Sequence, residues 1–116
     1  MSFRHLIAVA SVLSLLLVPS GASAKLRCPI NDGDQFPTVG TATVYGGLHC
    51  SNARSLANAI QRRWAAINDL PPTPIAGGIH YRCRYVERQG PDNPYMEAHC
   101  RRTKHPSQRI VMDLGS

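Results

Sequence analysis

Acidic residues are scarce in this chain of 116 residues: Asp and Glu supply 7 charges against 13 from Lys and Arg, a formal net charge of +6. Aromatics are few as well, with two Phe, one Trp and four Tyr. That leaves no interleaved platform for sequence-reading nucleic-acid recognition. No Cys-x-x-Cys pair exists, and the four cysteines lie 22, 33 and 17 residues apart, a spacing unlike that of a zinc ribbon. No serine occupies a Gly-x-Ser-x-Gly elbow, which removes that nucleophile arrangement. No internal repeat is present. The run Asn31-Asp32-Gly33-Asp34 has the flavour of a calcium loop, but its glycine comes too early and no glutamate closes it. It reads as a polar turn.

The longest apolar run, Leu6 to Val18, is 13 residues, well below the roughly 20 that a bilayer-spanning helix needs. Arg4 and His5 precede it, Pro19 and Gly21 break it, and Ala22-Ser23-Ala24 supplies a small-x-small cleavage site. Residues 1–24 are therefore expected to be a signal peptide, with no lipobox ahead of Cys28. Residues 25–116 are expected to form a single secreted domain. Loss of Arg4 leaves 12 basic residues, ten of them arginine, against 7 acidic ones. A secreted domain of this size buries a modest core and needs staples. Cys28, Cys50, Cys83 and Cys100 are expected to form two disulfides, each worth roughly 2–4 kcal/mol.

The stretch from Cys50 to Asp69 carries the strongest periodicity. Ala53, Leu56, Ala57, Ile60, Trp64 and Ile67 share one stripe, with Arg54, Asn58, Gln61, Arg62 and Asn68 opposite. Ser51 is placed to cap it, and Pro71 and Pro72 end it. The stretch predicts an amphipathic helix about 27 Å long.

Around that helix, Lys25 to Val39 reads as a turn-rich arm held by Cys28, and Thr41 to Tyr45 as a short edge strand. Leu70 to Gly78 reads as a stiff connector. Ile79 to Arg88 alternates, with Ile79, Tyr81, Cys83 and Tyr85 inward and His80, Arg82, Arg84 and Arg88 outward. Tyr95 to Thr103 alternates again, with Met96, Ala98 and Cys100 inward and Glu97, His99 and Arg101 outward. In a last strand Ile110, Met112 and Leu114 face in. The fold class expected is α+β, one helix packed on a three-stranded antiparallel sheet. A hairpin symmetric about Pro91-Asp92 opposes Cys83 to Cys100, within direct bridging range. Both also face the helix, where Cys50 must lie. Cys50–Cys100 with Cys28–Cys83 is slightly favoured over Cys28–Cys50 with Cys83–Cys100.

The pattern Cys-x-x-Ala-x-x-Leu-Ala at Cys50 to Ala57, Tyr-x-Cys at Tyr81 to Cys83 and Cys-Arg at Cys100-Arg101 resembles a loose group of small secreted actinobacterial proteins. The resemblance spans Leu48 to Leu114. It implies a secreted protein with a cysteine-opened helix and a cysteine-bearing hairpin. It implies no catalytic residue, and Cys28 is an addition to its pattern.

The outward hairpin face carries the functional signal. Arg82 stands opposite Arg101 and Arg84 opposite His99, with Arg88, His80, Arg102 and Lys104 nearby. Directly opposed like charges destabilise a sheet, so such a face points to an anionic partner: nucleic acid, an acidic glycan or anionic lipid headgroups. The alternative is a solvated face partly neutralised by Glu97 and Glu87, with a protein partner elsewhere. Glu97, His80 and His99 beside Arg84 and Arg101 also resemble, in residue type, the Glu–His–Arg set of secreted microbial ribonucleases. A membrane-active role is disfavoured because the sheet consumes the apolar stripe. His99 and Cys100 point to opposite faces and cannot share a metal ion, so neither metal nor other cofactor is expected. The leading expectation is a non-catalytic module using Arg82, Arg84, Arg88 and Arg101, with the ribonuclease set as runner-up.

Overall fold

The computed structural model describes residues 25–32 and 35–115. The expected signal peptide at 1–24 and the middle of the Asn31–Asp34 turn lie outside the described residues. Six strands and one helix follow in order: β1 (Leu26–Asp32), β2 (Thr38–Tyr45), α1 (Cys50–Ile67), β3 (Ile75–Ala76), β4 (Ile79–Arg88), β5 (Tyr95–Arg102) and β6 (Arg109–Gly115). The strands form one antiparallel half-barrel sheet in the order β1-β2-β6-β5-β4-β3.

This corrects the expected three-stranded sheet. The meander β4-β5-β6 is present, but β6 continues into β2, pairing Val44 with Ile110 and Ala42 with Met112. The segment read as an arm is strand β1, paired to β2 from Leu26↔Val44 to Asp32↔Val39 with a bulge beyond Pro29. Pro29 and the Asn-Asp pair disguise it. A proline is tolerated on an edge strand because its missing N–H faces away from the ladder. Thr41 to Tyr45 accordingly lies in an interior strand.

The helix packs chiefly against β1, β2 and β3. It therefore bridges the two margins of the sheet where a closed barrel would have its remaining wall. Ala53, Leu56, Ala57 and Ile60 are fully buried, in one cluster with Val39, Val44, Tyr81, Ile110, Met112 and Leu114. The stripe departs from expectation at its C-terminal end. Gln61 is 1 % exposed and donates to the Pro37 carbonyl at 3.0 Å, whereas Ile67 is 54 % exposed. Trp64 is half-buried, its ring centroid 5.0 Å from that of Phe36. His49, not Ser51, is the N-cap, and its N–H donates to Asn52 Oδ1 at 2.8 Å. Left-handed Asn68 (φ 57°), whose N–H donates to the Trp64 carbonyl at 2.7 Å, ends the helix ahead of Pro71.

The helix position also decides the disulfides. Cys28 on β1 faces the first helical residue, and Cys28–Cys50 forms with the Cα atoms 5.5 Å apart. Cys83 and Cys100 are register partners in β4 and β5 and form the second bond, with Cα atoms 4.0 Å apart. The slightly favoured alternative, Cys50–Cys100 with Cys28–Cys83, is overturned because α1 leans on β1 rather than over the β4–β5 hairpin.

The proline-rich connector has a defined task. The carbonyls of Pro72 and Pro74 accept from the N–H groups of Cys83 (2.8 Å) and Tyr81 (3.0 Å), and Pro71 O accepts from the Tyr85 hydroxyl at 2.6 Å. Prolines supply acceptors but no donors, so they satisfy this margin of β4 without offering a ladder for another chain. Gly46 is required at the turn before the helix. Its φ is +74°, and a Cβ there would lie 2.5 Å from the Ser107 carbonyl oxygen.

Truncating Ile60 to alanine is expected to cost about 2–5 kcal/mol in urea unfolding. Ile67→Ala is expected to stay within about 0.5 kcal/mol. Equal losses would contradict the burial boundary placed at Gln61.

Candidate functional site: the outward arginine face

Strand alternation sends every second residue of β4, β5 and β6 away from the helix, and the register stacks these residues into rows. The first row runs Arg82, Arg101, Arg109, Tyr45 across β4, β5, β6 and β2. The second runs Arg84, His99, Val111, Thr43, Arg27 and reaches β1. The third holds Val86, Glu97 and Asp113. Neighbours within a row stand about 4.8 Å apart, and successive rows on one face about 6.8 Å apart.

Three arginines therefore stand shoulder to shoulder, with a fourth, Arg84, one row away; all four are exposed. Arg109 has its guanidinium carbon 4.0 Å from the Tyr45 ring centroid, which places the cation over the aromatic face. An open cleft of about 360 Å³ lies among Arg82, Arg84, His99, Arg101 and Arg109. The side chains of Cys83, Cys100 and Ile110 point into the core, so their backbone forms its floor.

The carboxylates that share this face are already engaged. Glu97 Oε1 accepts from His99 Nε2 at 2.7 Å and from Arg88 Nε at 3.2 Å. Partial burial raises the Glu97 pKa, but the hydrogen bonds and charges of His99 and Arg88 outweigh it and hold the carboxyl below its ordinary value. An ionised carboxylate only accepts, so Nε2 of His99 carries the proton in that bond. Asp113 Oδ2 accepts from the Thr41 hydroxyl at 3.3 Å. Among the described residues, Arg82, Arg84, Arg101 and Arg109 form no ion pair with a carboxylate.

The expected site residues divide accordingly. Arg82, Arg84 and Arg101 line the cleft. Arg88 does not, because it is paired to Glu97. Glu87, expected to soften the charge, is exposed near the end of β4, out of phase with the outward arginines and opposite Met96, and does not line the cleft. Glu97 and His99 are joined, while His80 lies four residues along β4 from Arg84, about 13 Å away. The ribonuclease set is thus split. Arg109 was legible, since placing Ile110 and Met112 inward turns Arg109 outward. Tyr45 and Arg27 were not, because they reach the face only through the β2–β6 and β1–β2 pairings.

A separate, apolar cleft of about 150 Å³ lies between Phe36, Trp64, Leu70, Tyr95, Met96 and Leu114. Among the described residues no group of three or more His, Cys, Asp or Glu side chains is arranged to hold a metal ion. No helix among them is long and apolar enough to cross a membrane. The two disulfides are of the kind that persist in an oxidising, extracellular-type environment.

Comparison with family models, with curated proteins and with solved structures yields no match. The function must be argued from the face itself.

Replacing Arg101 with alanine removes the middle charge of the first row. It is expected to raise stability at low salt by about 0.2–1 kcal/mol, a gain that shrinks as salt screens the parent protein's repulsion. A loss of stability would show that the arginines support one another through packing. Because the folded Glu97 pKa is depressed, its contribution is present above the ordinary glutamate range near pH 4.3 and is lost as pH falls through the depressed value. Thermal unfolding of Glu97→Gln should trail the parent at neutral pH and converge with it on acidification.

Proposed function

We propose that this protein is a secreted, non-catalytic interaction module whose outward sheet face binds an anionic partner. One observation carries the reading: Arg82, Arg101 and Arg109 are register neighbours on three adjacent strands with no carboxylate paired to them among the described residues. Folding forces these charges together at a cost, and an anion seated between them converts that repulsion into attraction. Arginine suits the task because its planar fork meets phosphate, sulfate or carboxylate oxygens two at a time. The carboxylates of the face stand in the third row, Glu97 bonded to His99 and Arg88 and Asp113 to Thr41, and neither lines the cleft.

A second reading, a small ribonuclease, is favoured by the 2.7 Å contact of Glu97 with His99 at the margin of the arginine cleft. That pair supplies one proton-transfer group beside a phosphate-holding set. Hydrolysis needs a second on the far side of the phosphate, and His80 stands two rows away. Cleavage of single-stranded RNA, abolished in Glu97→Gln, would replace the first reading with this one.

Calorimetric titration of the oxidised 25–116 protein with tripolyphosphate tests the leading reading, because that ligand offers charge without base, sugar or apolar surface. Binding is expected at low salt, weakening steeply as salt rises. Arg82→Ala/Arg101→Ala is expected to lower the affinity about tenfold or more. Absence of binding, or binding unchanged in the double variant, would overturn it.

A further inference from the structure

The arginine cleft does not end at Arg82. A second cleft of about 580 Å³ opens at the end of the β4–β5 ladder, lined by His80, Arg82, Arg102, Thr103 and Lys104, with Ile79, Tyr81 and the connector supplying its apolar side. Arg82 borders both clefts, and no Asp or Glu lines either one. The second cleft is built rather than incidental. Thr103 returns to β4 through its N–H (2.9 Å) and hydroxyl (3.2 Å), both donating to the His80 carbonyl. This fixes the turn that carries Lys104 beside His80. Arg102 is oriented by a 2.8 Å bond from Nη1 to Gln108 Oε1, and Gln108 is itself anchored to the Gly46 carbonyl at 3.0 Å.

The two clefts together form a basic track along β4 from Arg84 to His80 and on to Lys104. The β4 portion alone, four residues, measures about 13 Å, the length of at most about four nucleotides, since a strand stacked as in a duplex advances about 3.4 Å for each and an unstacked one advances more. A compact anion occupies one cleft and leaves the other empty, so the track matches a linear polyanion. The nature of that polyanion is indicated by Arg109. Its guanidinium rests on the Tyr45 ring, and its exposed outer face is a flat, cationic surface on which a nucleobase can stack. A sulfated glycan has no use for such a surface. A single stacking position tolerates any base and reads no sequence.

We propose that the two clefts form one groove for a single-stranded polynucleotide. Successive phosphates lie on either side of Arg82, and one base stacks on the Arg109–Tyr45 pair. This rests on the anion-binding reading above and names its ligand class. Recognition is sequence-independent and depends on strand length.

Fluorescence anisotropy with oligothymidylates of increasing length, which the ribonuclease reading could not cleave, tests the groove against two references. These are tripolyphosphate and a sulfated oligosaccharide of matching charge. Affinity is expected to climb up to about four nucleotides and then level off. His80→Ala/Lys104→Ala is expected to abolish that climb. Arg109→Lys keeps the charge but loses the plane, and is expected to lower the ratio of oligothymidylate to tripolyphosphate affinity by about fivefold or more. Tripolyphosphate binding with no length dependence would overturn the groove while leaving the anion face standing. So would tighter binding of the sulfated oligosaccharide with Arg109→Lys indifferent. Failure of every anion to bind would overturn the face itself.

Discussion

The placement of β5 between β4 and β6 governs both halves of this molecule. Strand side chains alternate with a period of two, so one register buries Tyr81, Cys83, Ala98, Cys100, Ile110 and Met112. The same register sends Arg82, Arg84, His99, Arg101 and Arg109 outward. A slip of one residue would exchange the two sets and place arginines in the core. The apolar face thus enforces a charge row that electrostatics alone would disperse. The Cys83–Cys100 bond pins the register covalently at the level of that row. Cys28–Cys50 ties the helix to the far side of the same sheet, where its contacts with β1, β2 and β3 complete the core.

Charge on the outward face is sorted by row. Glu97 and Asp113 occupy the third row, where Glu97 takes His99 and Arg88 and Asp113 takes Thr41. The first row contains arginines and a tyrosine only. A surface that served solubility alone would interleave the signs, since opposed pairs across strands stabilise a sheet while like pairs weaken it. Segregating them concentrates positive charge over a backbone floor in the cleft among Arg82, Arg84, Arg101 and Arg109, which no Asp or Glu lines. Arg109 has an additional device: the Tyr45 ring beneath it restricts its orientations, so less freedom is lost when a ligand is met.

The hairpin and its outward charges were legible because Ile79 to Tyr85 and Met96 to Arg101 alternate and the Pro91-Asp92 turn sets the symmetry. The helix was legible through Ala53, Leu56, Ala57 and Ile60, but its last turn was not. Gln61 is buried to serve the Pro37 carbonyl, a contact set by the β1–β2 region and invisible to periodicity. The first strand was hidden for a local reason, and without it the second, read over Thr41 to Tyr45, passed for an edge. Pro29 and the Asn-Asp pair look like turn chemistry, and only pairing with β2 makes them strand. That omission also hid Tyr45 and Arg27, which join the site across long sequence separations. The disulfide preference failed on the same point, because with no β1 in view the helix had only the hairpin to lie against.

An arginine row held in repulsion for an anion to relieve is the core of the proposed function. It is tested most directly by the unfolding temperature of the unaltered 25–116 protein in sodium chloride and in tripolyphosphate at equal ionic strength. General screening acts identically in both. A ligand seated in the cleft adds stability that grows with its concentration. A higher unfolding temperature in tripolyphosphate, rising with its concentration, is the expected result. Coincident curves would mean that the arginines are only a solvated surface.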